Sequence, residues 1–144
     1  MALTDPRYVL LCPDSCHIAL GGGDPVAVAR RHRQRIALAH WKDPVRPIDT
    51  DLTVDETVYA QQQPYMAALG TGIVDWPGWA DAMSRTPCSG TVLIELDEAA
   101  DPVAALRAGT TGAGRAWSVT SRSAAGGDEQ GGYGSKCPPP KSSR

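Results

Sequence analysis

Ile36-Ala37-Leu38-Ala39-His40-Trp41-Lys42-Asp43 is the stretch that decides the fold. An unbroken apolar run ends abruptly in a polar cluster. That is how a short strand buried on both faces of a parallel sheet reads. The same pattern occurs twice more. Upstream, Tyr8-Val9-Leu10-Leu11-Cys12 ends at Pro13-Asp14, with His17 close behind. Downstream, Thr91-Val92-Leu93-Ile94-Glu95 is followed by Asp97. Between these runs lie helix-start signals, an acidic cap with a proline at the first helical turn. Asp24-Pro25 predicts a helix from Val26 to Arg35, and Asp75-Trp76-Pro77 predicts one to about Ser84. Asp101-Pro102 predicts a last helix, Val103 to Ala108, stopped by Gly109. The segment from Val45 to about Gly72 reads as a long loop with one helical turn between Tyr59 and Ala68. Strands alternating with capped helices predict a parallel α/β architecture.

Composition bounds the rest. A chain of 144 residues predicts one domain. Lys plus Arg is 14 against 16 for Asp plus Glu, which excludes a strongly basic nucleic-acid binder and a polybasic membrane-surface protein. No stretch reaches the ~20 apolar residues of a membrane span. The N-terminal MALTDPRYVLLCPD does not read as a signal peptide, since Asp5 comes early and the apolar run is short, and none is expected. Four unevenly placed cysteines do not make a disulfide scaffold, so a cytoplasmic location is expected. Arg30, Arg31, Arg33 and Arg35 read as the solvated face of a helix. From Gly109 the sequence becomes rich in Gly and Ser and ends near Pro138-Pro139-Pro140. Residues 1–108 are therefore expected to fold, and 109–144 to form a disordered low-complexity tail.

Ligands of parallel β/α folds bind at the C-terminal edge of the sheet. Asp14, His40 and Glu95 come one from each strand end, so parallel neighbours would bring them to one rim. One imidazole with two carboxylates suits a divalent ion such as Mn2+, Mg2+, Co2+ or Zn2+. Cys12-x3-Cys16-His17 offers a rival, but Cys88 stands alone in the folded part and a structural zinc needs four closed ligands. Gly21-Gly22-Gly23 lacks the P-loop Lys-Ser/Thr and reads as a flexible connection. Ser15 has no Gly-x-Ser-x-Gly surroundings.

Four motifs in order carry a resemblance: Asp14-Ser15-Cys16-His17, His40-Trp41-Lys42-Asp43, Leu69-Gly70-Thr71-Gly72-Ile73-Val74-Asp75-Trp76 and Ile94-Glu95-Leu96-Asp97. Over nearly all of residues 5–108 the chain resembles the C-terminal part of the sugar phosphate isomerases/epimerases. These belong to the xylose-isomerase-like TIM-barrel superfamily, which also includes the inosose dehydratases. The chain departs from the pattern at Cys16, where the family usually has Gly, and at Leu96, where a polar residue is common.

The resemblance implies a partial (β/α)8 barrel, about its last three βα units. It places metal ligands on Asp14, His40 and Glu95, with Glu95 also the candidate base. His17 and Arg46 would contact a small sugar or cyclitol substrate, and Lys42 and Asp43 match a substrate-binding signature. The implied activity is an isomerase or epimerase working through a metal-stabilised enediolate. An inosose-type dehydratase is the alternative on the same site, ranked second because Leu69–Gly72 is short for that branch. A whole barrel takes about 250 residues, so the resemblance further implies a truncated chain without the first metal Glu. An open half-barrel is expected to self-associate or pair with a complementary half, or to be non-catalytic.

Overall fold

The computed structural model describes residues 3–48, 55, 57–87, 93–97, 99 and 101–111. The aspartate caps work as the sequence predicts. Asp24 accepts a hydrogen bond from the Ala27 amide at 3.1 Å and starts helix α2, Pro25–His32, which continues as a 3-10 turn through Arg35. Asp75 accepts from the Gly78 amide at 3.1 Å at the head of α4, Trp76–Ser84. A cap of this kind stabilises a helix by about 1 kcal/mol. Asp14 caps a further short helix, α1, Ser15–Leu20, accepting from the His17 amide at 2.9 Å.

Strand pairing is parallel, in the predicted order, and shorter than predicted. Leu11 bridges Ile36 and Asp14 bridges His40. Strand β1, His40–Trp41, pairs in parallel with β4, Leu93–Ile94, in the register His40 opposite Leu93. Tyr8 to Leu10 do not join the sheet as expected. The amides of Tyr8 and Val9 both donate to the Asp5 carbonyl, which folds the start of the run into a turn. Tyr8 is 80% exposed, and Val9, Leu10 and Leu93 are exposed too. A strand buried on both faces needs a layer on each, and these side chains have no such cover.

The long predicted loop contains structure. Strand β2, Asp43–Pro44, pairs antiparallel with β3, Met66–Ala67. Helix α3, Val58–Gln62, and a 3-10 turn, Gln63–Tyr65, precede β3. Residues 102–111 are helical, capped by Asp101, which accepts from the Ala104 amide at 3.0 Å. Gly109 therefore lies inside that helix and does not stop it. A Cβ there would stand 2.9 Å from Leu69 Cβ, so its bare backbone is what lets the helix seat on Leu69. Residues 112–144, the rest of the predicted tail, lie outside the described residues.

The core lies between α2, α4 and the strands. Trp41 stacks on Trp76 with centroids 5.4 Å apart and meets Trp79 edge-on at 6.5 Å. Ala19, Ala29 and Ala80 are buried in the same cluster. As predicted, Arg30, Arg31 and Arg33 face solvent.

Asp43 fixes the segment that follows. It is 1% exposed, and its carboxylate accepts from the Gly70 amide at 2.9 Å, the Gly72 amide at 3.0 Å and the Val74 amide at 3.2 Å. Trp76 Nε1 donates to it at 2.8 Å. Gly70 has φ +89°, and a Cβ on Gly72 would run into Asp43 Oδ1 and the Pro44 carbonyl. Replacing Asp43 by Ala strands four donors, so we expect a loss of about 3 kcal/mol or more. Asp43→Asn should cost less, because one oxygen still accepts. Urea denaturation midpoints of the two variants check this order, and equal midpoints with the unmutated chain would refute it.

Candidate functional site

Side chains two residues apart on a strand share a face. The Asp14–His40 bridge and the His40–Leu93 register therefore set Asp14, His40 and Glu95 on one side of three strand ends. The Glu95 amide donates to the Trp41 carbonyl at 3.1 Å, which carries the ladder as far as the site. His40 Nδ1 lies 3.0 Å from Glu95 Oε1 and 3.7 Å from Asp14 Oδ2. One donor atom from each of the three residues falls within 4.8 Å of the others, and all three side chains are half-buried. Among the described residues this is the one such group.

The donor set fits a divalent cation. Two carboxylate oxygens and one imidazole nitrogen are hard-to-borderline ligands, and three protein ligands leave positions open for water or substrate. The thiols do not compete. Burial, followed by the Asp14 charge, pushes the Cys16 thiol up to about 12. Cys16 is fully buried and turned to Met66 Sδ at 3.6 Å. Burial also raises the Cys12 thiol, with Asp14 and Glu95 adding to it. Among the described residues neither thiol joins a group of ligand atoms that could hold a metal ion, whereas Asp14, His40 and Glu95 do.

The remaining site residues of the sequence reading fall at different depths. His17, about half exposed, stands at the outer edge of the cluster with Nε2 3.8 Å from Asp14 Oδ2. Lys42 is buried, and its ammonium pairs with Asp97. Ser15 holds Lys42 by the backbone: its hydroxyl donates to the Lys42 carbonyl at 2.7 Å and accepts from the Lys42 amide at 3.1 Å. Arg46 is exposed and lies over the Tyr65 ring, 4.5 Å from its centroid. Asp43 is buried, and its carboxylate accepts from the four donors described above. The sequence reading missed the clamp of Ser15 and the pairing of Asp97. Strand parity offered a signal for Asp97, since it follows Glu95 by two. The fully buried role of Ser15 had none.

Comparison with known proteins points the same way as the motifs. No family model and no solved structure matches the chain. It is similar to the rhizopine catabolism protein MocC of Rhizobium meliloti, 32% identical over 103 residues, 68% of this chain and 30% of that protein. It is similar to an inosose dehydratase of Bacillus velezensis, 30% identical over 104 residues, 71% of this chain and 34% of that enzyme. An inosose dehydratase of Geobacillus kaustophilus is 38% identical over 78 residues, 54% of this chain and 23% of that enzyme. The chain thus spans about a third of the length of most curated relatives it matches. These similarities support the xylose-isomerase-like superfamily. The names favour the dehydratase alternative over the isomerase that the sequence reading ranked first. No helix among the described residues is long and apolar enough to cross a membrane.

If the three residues hold a cation, Mn2+ should raise the melting temperature of the chain. A hundredfold excess over Kd adds about 2.7 kcal/mol. Glu95→Gln and Asp14→Asn should each remove most of that shift while leaving the metal-free melt nearly unchanged. Circular dichroism melts with and without Mn2+ are the check. A shift that survives both substitutions would place the ion elsewhere.

Proposed function

We propose that the chain supplies three strand ends of a β/α-barrel rim to a metal-dependent dehydratase acting on a polyhydroxylated ketone of the inosose kind. The observation that carries this is the convergence of Asp14, His40 and Glu95 at one parallel edge, in a chain similar to inosose dehydratases. A divalent ion held by Asp14, His40 and Glu95 would supply Lewis-acid polarisation of the ketone oxygen.

The protein's own groups do the proton work. A carboxylate of the Glu95 type removes the proton on the carbon alpha to the ketone. The C–H electron pair becomes the double bond between the two carbons, the C–O bond of the next carbon breaks with its pair on oxygen, and the leaving hydroxyl takes the proton held by that carboxylate and departs as water. His17, exposed beside Asp14, is the group we assign to orient that hydroxyl. Asp43 acts at one remove, by fixing the chain just beyond His40 and Lys42. Isomerisation would begin with the same proton removal but would conserve mass, which makes the two readings separable.

The test is incubation of the Mn2+-loaded chain with an inosose, followed by mass spectrometry and ultraviolet absorbance. Loss of one water with a new conjugated chromophore is the expected result. Glu95→Gln should lower the rate by a factor of about 10² or more. Deuterium uptake from solvent at the alpha carbon reads the first step alone. A product of unchanged mass would return the isomerase reading, and no deuterium uptake would overturn both.

A further inference from the structure

We infer that Lys42 and Asp97 form a hydroxyl-binding pair beside the Asp14–His40–Glu95 cluster, with Asp97 a specificity-determining residue. The inference rests on the polyol reading above and adds a second point of attachment to it.

Two ion pairs link the chain at the ends of β1 and β4. His40 meets Glu95 at 3.0 Å, and Lys42 meets Asp97. Each residue of the second pair follows its counterpart by two positions, a step of at most about 7 Å of extended chain, just beyond the ends of β1 and β4. That step is comparable to the width of a six-membered ring with its hydroxyls. A ring whose carbonyl lies at the first pair would bring another hydroxyl to the second.

The second pair has capacity left over. An ammonium carries three donors, and among the described residues Asp97 is the ionic partner of Lys42. The Lys42 side chain is 5% exposed, whereas that of Asp97 is 31% exposed. Burying an ammonium with donors unfilled is costly. A ligand oxygen would fill one, and the free lone pairs of the Asp97 carboxylate would take the proton of the same hydroxyl. A hydroxyl gives one hydrogen bond and accepts others, so a donor beside an acceptor fits it. A phosphate ester at that position would offer oxygens only, and Asp97 would repel them.

The placement is also rigid. Ser15 grips both the amide and the carbonyl of Lys42, so the side chain starts from a fixed point. An ordinary surface ion pair lacks that preorganisation and contributes little.

The experiment uses the full chain loaded with Mn2+, with myo-inositol and an inositol monophosphate as probes, followed by titration calorimetry. Asp97→Ala should weaken myo-inositol binding by about tenfold while Mn2+ affinity stays within about twofold of the unmutated chain. Asp97→Asn, which keeps the shape and removes the charge, should narrow the preference for myo-inositol over the monophosphate. Thermal melts confirm that both variants fold. Unchanged myo-inositol affinity in both variants would overturn this inference and leave the proposed function standing. A parallel loss of Mn2+ affinity would make Asp97 part of the metal cluster and also overturn it. Failure of the unmutated chain to bind Mn2+ at all would sink the proposed function and this inference together.

Discussion

The Asp43 carboxylate is where the fold and the site meet. It is buried, and four donors converge on it from a segment nearly thirty residues further along the chain. A buried carboxylate left unpaired is severely unfavourable, so the segment from Gly70 to Trp76 must close over it. Closing requires bare backbone at Gly72, where a side chain would strike both Asp43 and Pro44. Closure also brings Trp76 onto Trp41 and leads directly into α4 at Asp75. One carboxylate thereby ties the end of one βα unit to the start of the next helix.

That tie has consequences on the other side of the strand. His40, Lys42 and Asp43 follow each other within one extended segment. Asp43 anchors the segment from below, and Ser15 anchors it at Lys42 from the neighbouring helix. The backbone of Lys42 is thus held by Ser15, directly before the anchored Asp43. Preorganisation of this kind is what a metal site or a polyol site needs, since it removes the ordering cost from the binding step. The resemblance grouped His40, Lys42 and Asp43 as one signature. The structure divides its labour: His40 joins the cluster, Lys42 pairs with Asp97, and Asp43 builds.

Local chemistry was legible wherever a residue acts on its near neighbours. Asp24, Asp75 and Asp101 cap the helices they were expected to start, because a cap depends on an amide three residues away. Gly109 shows the opposite case. A glycine after a helical run ordinarily marks a stop, but here its value is close approach to Leu69, a contact across forty residues. The Tyr8–Cys12 run misled for a related reason. Its apolar character says that it can be buried on both faces, whereas burial depends on what other elements bring to those faces.

By itself the sequence determined the order of strand ends and capped helices, and the residue types that meet at the rim. Apolar runs that each end in a polar residue, set in a parallel alternation of strands and helices, are enough to predict that Asp14, His40 and Glu95 share an edge. Only the tertiary structure decided their register, the depth of each polar side chain and the partner each one takes. Asp43, Lys42 and Asp97 are all charged residues near strand ends. One is buried under four donors, one is buried against a carboxylate, and one remains open. Those differences come from the packing of distant segments, which no local pattern encodes.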